Sequence, residues 1–235
     1  QDLIYVLEVN PRASRTVPFV CKATGLPLAK IAARAMAGQS LDGQGIHFEA
    51  VPPYFSVKEV VFPFAKFPGV DSILGPEMKS TGEVMGVGHS FGEAFYKAQL
   101  AAGVRLPAAG RVYLRVKRND QARAVALARQ LVALGFTMLA SNITSVVLNA
   151  ADVAAIKVDD AVVLDLISKR EIAMVILTVD EMRSAIAASR AIRVAALASS
   201  TPMISTIAGA EATLECLHHM KDFGFVMRGT AQEAA

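Results

Sequence analysis

Cysteine is scarce: the 235 residues hold only Cys21 and Cys216, each inside or beside an apolar helical stretch. That excludes a disulfide-stapled scaffold and points to two buried, reduced thiols in a cytoplasmic protein. Histidine is scarce too. His47, His89, His218 and His219 show no metal-ligand spacing, and neighbours on a helix do not share a face, so the His218–His219 pair is not a site. Long apolar runs are missing. Gly, Pro or a charge interrupts each one well short of the roughly 20 residues a bilayer span needs, so the chain reads as soluble, with no membrane partner. An excess of one charge is missing as well: the formal net charge is +3, and no Lys/Arg block is interleaved with aromatics, so nucleic acid is excluded as a partner. There is no low-complexity tract, and 53% apolar against 19% charged residues excludes disorder as the dominant state. An initiator Met and a signal-type leader are absent. The chain opens directly on a strand, residues 3–7, apolar on both faces and therefore suited to a sheet centre. The expectation is a fragment, natural or recombinant, of a longer protein.

The length suits one to two domains. After the opening strand and an irregular stretch, Pro27 suits the first turn of a helix. Leu28, Ile31, Ala32 and Ala35 form its apolar stripe, and Gly38 stands where a C-terminal cap belongs. A strand is expected near 57–62. Ser90 with Glu93 is a capping box opening a helix to about Ala102. Residues 103–110, with Pro107, are the best linker, which sets domains of 1–106 and 107–235. Beyond it Val112, Leu114 and Val116 alternate with Tyr113, Arg115 and Lys117. A helix capped by Asn119 or Asp120 then buries Ala124, Leu127, Ala128, Leu131 and Leu134 and ends at Gly135. Further strands are read at 137–140, 155–158, 172–178 and 202–206, and helices near 160–168, 180–198 and 208–221. Strands alternating with helices predict an α/β, five-stranded, parallel, doubly wound sheet.

Glu8 and Asn10 lie two apart at a strand end, so they share a face roughly 6–7 Å apart at about 3.3 Å per residue. A carboxylate and an amide oxygen are hard donors suited to Mg²⁺ or Mn²⁺, with waters and nucleotide phosphates completing the shell. Arg12 and Arg15 follow as two permanently charged forks for phosphate. By spacing alone, the same residues also fit a surface ion pair.

The run Glu8-Val9-Asn10-Pro11-Arg12-Ala13-Ser14-Arg15-Thr16-Val17-Pro18-Phe19 resembles the closing motif of the ATP-grasp domain in carbamoyl phosphate synthetase large subunits. So do 56–64 (SVKEVVFPF), 66–71 (KFPGVD) and 74–86 (LGPEMKSTGEVMG). The resemblance implies the end segment of an incomplete ATP-grasp domain, the carbamate-phosphorylating half. ATP and Mg²⁺ or Mn²⁺ would be its cofactors, Glu8 and Asn10 the metal and nucleotide ligands, and Arg12 and Arg15 the catalytic groups facing the phosphoryl groups. It further implies the glutaminase small subunit and the rest of the large subunit as partners, and little activity in this piece alone, because the nucleotide lid and the other metal carboxylate would lie upstream.

Residues from about 110 onward resemble, more loosely, the methylglyoxal-synthase-like regulatory domain of that family. There a Thr-x-Gly-Thr-Ala loop and a lysine hold an effector phosphate. Here Ser141-Asn142-Ile143-Thr144-Ser145 stands at the loop, with Ile143 in place of Gly, and Asp159-Asp160 follows Lys157 where Glu-Gly-Arg-Pro is expected. Ser141, Thr144, Lys157, Thr178 and Thr206 form the candidate allosteric pocket, and Glu59 matches a residue that contacts ornithine in relatives. The expectation is that nucleotide control is weakened, lost or switched to another small-molecule effector. The alternative is a non-catalytic metabolite-sensing or subunit-interaction module. Structurally, the two aspartates also suit a helix N-terminus, and the hydroxyls suit ordinary turns.

Overall fold

The computed structural model describes residues 16–47, 49–61, 82–179 and 183–223, together with Val6, Val9 and Ser14. The strand read at 3–7 and the motif residues Glu8, Asn10, Arg12 and Arg15 lie outside the described residues, as do the runs 66–71 and 74–81. The chain divides into two compact units, Gln1–Tyr54 and Phe55–Ala235.

In the first unit, α1 (Thr16–Thr24) and α2 (Leu28–Met36) are joined by a turn at Gly25, φ +72°. The sequence reading left 16–24 irregular. A helix is accommodated because Pro18 falls in its first turn, where a missing N–H costs nothing, and Ser14 Oγ accepts the Thr16 N–H at 3.1 Å. α2 ends as read, with Gly38 at φ +94°. Tyr54 Oη donates to Ala23 O at 2.8 Å and Gln44 Nε2 to Ile31 O at 3.2 Å, which ties the loop 37–54 back onto the helices. Cys21 is half-buried and Cys216 buried, both free, so the expectation of two buried thiols holds only for Cys216.

The second unit opens with an antiparallel pair, β1 (Phe55–Val61) and β2 (Gly82–Gly88), covered by α3 (Phe91–Ala101). β2 was not read from the sequence, because Gly82, Gly86 and Gly88 argue locally against a strand. Close packing explains them: a Cβ on Gly86 would run into the Ala94 carbonyl and one on Gly88 would lie 2.6 Å from Ala94 N. The cap forms with a shifted reciprocal bond: Ser90 Oγ accepts from Glu93 N at 3.2 Å as expected, while Glu93 Oε2 accepts from His89 N at 2.8 Å, one residue before the cap.

The main sheet is parallel, in the order β5-β4-β3-β6-β7. Its strands are β3 (Gly110–Arg115), β4 (Phe136–Ala140), β5 (Ala155–Lys157), β6 (Met174–Leu177) and β7 (Met203–Ile204). One face carries Val112, Leu114, Met138 and Ile176 against α4 (Gln121–Ala133), α5 (Asn142–Ala150) and α8 (Ile207–Phe223). The other carries Tyr113, Leu139, Val175 and Leu177 against α6 (Asp160–Ser168) and α7 (Arg183–Ala198). The sheet is doubly wound, which is why Tyr113 is as fully buried as Val112. α5 was missed in the sequence: Ile143, Thr144, Val146 and Val147 are β-branched and poor helix formers, and the packing of Leu148 in the core outweighs that preference.

The domain boundary read at 106/107 falls inside the second unit. α3 packs on α8 so closely that a Cβ on Gly92 would lie 2.6 Å from the Glu215 carbonyl, and Leu106 of the expected linker is buried. Among the described residues no helix is long and apolar enough to cross a membrane.

Candidate functional site

A strand order with β3 between β4 and β6 makes the chain reverse direction across the sheet at the β3–β6 boundary. Open α/β sheets bind ligands in the crevice at the C-terminal strand ends there. A groove of about 580 Å³ opens at that place. Its walls come from residues 115–118 after β3, the first turns of α5, and Thr178-Val179 after β6.

The five hydroxyl and lysine positions read from the sequence do not converge on it. Thr178 lines the groove, but its Oγ1 accepts the Lys117 N–H at 3.0 Å. Thr144, 1% exposed, accepts the Val116 N–H at 3.2 Å and the Ser141 hydroxyl at 3.1 Å. These hydroxyls brace the loop after β3. Ser141 is the N-terminal cap residue of α5. Lys157 stands exposed at the end of the edge strand β5, and Thr206 Oγ1 accepts the Gly209 N–H at 3.0 Å at the start of α8. Lys157 and Thr206 are not among the groove's lining residues.

Ile143 is the second residue of α5 and has an ordinary helical backbone; the non-glycine residues with positive φ among those described are Asp152, Arg170 and Ser200. The cost of Ile in place of Gly is therefore one of volume, not strain. Its side chain is 67% exposed, and that of Val146 63%, on the groove wall that α5 supplies.

The two aspartates behave differently from each other. Asp160 pairs with Arg115, with Nη1 at 3.2 and 3.1 Å from its two oxygens, so its charge is largely answered. Asp159 precedes α6 with an extended backbone and no side-chain capping bond. Tyr113, two residues before Arg115 on the same face of β3, has its phenol pushed up to about 12 by burial.

Glu59 lies half-buried on β1 opposite Val84. Burial raises its carboxyl above the ordinary value, against a hydrogen bond from the Gln99 side chain on α3. Sequence reasoning missed the cations Lys117 and Arg118, which line the groove. Their position after a strand was visible; that the strand is the one at the reversal point depends on pairing. Among the described residues no cluster of three or more His, Cys, Asp or Glu could hold a metal.

Comparison with known proteins bears on the whole chain. Residues 1–44 match the carbamoyl-phosphate synthase L chain, ATP binding domain, and residues 123–205 match the MGS-like domain. The carbamoyl phosphate synthase large chain of Ralstonia nicotianae is 58% identical over 227 residues, 94% of this chain. The chain belongs to the carbamoyl phosphate synthase large-chain family. The Pasteurella multocida large chain is 52% identical over 225 residues. The chain spans 21% of the length of either relative. A crystal structure of methylglyoxal synthase from Elizabethkingia anophelis aligns with 46% of this chain and 79% of that one, at 18% identity and a TM-score of 0.38.

Proposed function

We propose that the chain is the C-terminal part of the large subunit of a cytoplasmic, glutamine-dependent carbamoyl phosphate synthetase, serving arginine and pyrimidine synthesis. Residues 1–106 end the carbamate-phosphorylating ATP-grasp domain, and 107–235 are its regulatory domain. The observation that carries this is the 58% identity to a named large chain across 94% of the sequence, with the two family matches in that order. The partners are the rest of the large subunit and a glutaminase small subunit.

In this reading Glu8 and Asn10 hold Mg²⁺ or Mn²⁺ against the ATP phosphates. One carboxylate and one amide oxygen fit a hard, oxygen-seeking cation that keeps water and phosphate ligands. The bound ion would neutralise phosphate charge. Arg12 and Arg15 orient the transferring phosphoryl group and stabilise its equatorial oxygens, and most catalysis of phosphoryl transfer is such positioning and charge neutralisation. Of Ser141, Thr144, Lys157, Thr178 and Thr206, the five positions expected to hold an effector, Thr178 lines the groove; the nucleotide-binding chemistry of that regulatory site is altered, and Glu59 is a candidate contact for an amine effector.

The isolated chain is expected not to hydrolyse ATP above the buffer rate. Turnover by the 235-residue protein that disappears in Glu8→Ala would overturn the assignment of an incomplete site. Tight calorimetric binding of uridine or inosine monophosphate would overturn the altered regulatory site.

A further inference from the structure

The groove at the β3–β6 boundary combines an aliphatic wall with two cations. Val116, Ile143, Val146, Val147 and Val179 give it a largely aliphatic lining, and two of these side chains stand mostly in water. Lys117 and Arg118 also line it, and neither makes an ion pair among the described residues. Ile143, on the first turn of α5, adds an exposed aliphatic side chain to the groove wall. A bare phosphate would engage the cations but leave the apolar wall wet.

We propose that this groove takes an organic anion with an apolar body and a single carboxylate head. The aliphatic wall receives the body, while Lys117 and Arg118 hold the head. The volume is within the range of small-molecule sites, which are mostly apolar with a few polar groups setting orientation. The proposal rests on reading residues 107–235 as a regulatory domain with an altered effector site, and it names the ligand class for that site.

The test is an amide-shift titration of the whole ¹⁵N-labelled 235-residue chain with octanoate, inorganic phosphate and uridine monophosphate in turn. Octanoate is expected to shift the amides of 116–118 and 143–147 saturably, with phosphate producing no saturable shift there. Ile143→Asp, an exposed change at a helix start where an acid is tolerated, should weaken octanoate by roughly tenfold, the loss of one buried aliphatic contact. Replacing Lys117 and Arg118 together by Gln should weaken it several-fold, and more at low salt than at high salt. No localised octanoate shift, equal affinity in Ile143→Asp, or saturable binding of phosphate alone would each overturn the proposal. Uridine monophosphate binding more tightly than octanoate would overturn the altered-site reading as well; octanoate silence without nucleotide binding would overturn this proposal alone.

Discussion

Two carboxylates of the second unit carry opposite electrostatic consequences. Glu93 lies below the ordinary value: burial pulls it up, but the Lys97 ammonium and the His89 N–H together outweigh that pull. A depressed folded value means its stabilisation is present above about 4.5, the ordinary value, and is lost as pH falls through the folded value. The melting-temperature gap between wild type and Glu93→Gln is therefore expected to be largest near neutral pH and to shrink under acid. Glu59 is the reverse case. Burial raises its folded value, so stability from this group is complete below the ordinary value and is lost as pH rises through the folded one. Glu59→Gln should raise the melting temperature at pH 7 and have no effect near pH 4. At Cys216 burial pushes the thiol up to about 12, and a thiolate is the reactive form. Thiol labelling of the folded chain is expected at Cys21 and, under the same conditions, not at Cys216 until the protein is unfolded.

At the scale of elements, the packing of β2 on α3 depends on missing side chains. Gly86→Ala would force a methyl into the Ala94 carbonyl, and overpacking of this kind costs about 1–3 kcal/mol or more. Chemical denaturation should show that loss, whereas Gly103→Ala has open space around its Cβ and meets only a backbone cost, at φ +84°. The edge strand β5 has its own clasp. Asn149 Oδ1 accepts the Ala155 N–H and Asn149 Nδ2 donates to Ala155 O, both at 3.0 Å, satisfying backbone groups that an edge would otherwise offer to another chain. Asn149→Ala should cost roughly 1–2 kcal/mol, the worth of two hydrogen bonds, and promote self-association on concentration. These elements also show where sequence is informative. The capping box of α3, the stripe of α4 and the span Asp160–Ser168 were all legible, because local chemistry and tertiary packing agree there. β2 and α5 were not: their glycines and β-branched residues answer to neighbours far along the chain, Ala94 in one case and the sheet core in the other.

At the scale of the molecule, the doubly wound sheet was legible from its alternation of strands and helices, but the site at its rim was only partly so. The hydroxyls of Thr144 and Thr178 were visible in sequence, yet their partners, the N–H groups of Val116 and Lys117, follow β3, which pairing alone brings beside them. The motif proposed to hold the metal, Glu8 to Arg15, was read from its residue types and family resemblance, and its metal-site residues lie outside the described residues. The measurement that tests the central assignment most directly is carbamoyl phosphate formation by a full-length large chain ending in this sequence, assayed with its glutaminase partner, wild type against Glu8→Ala. The expected result is a loss on the order of 100-fold or more, the scale for removing a group that stabilises transferring charge, with the small subunit still bound. Unchanged carbamoyl phosphate formation in Glu8→Ala would contradict the assignment.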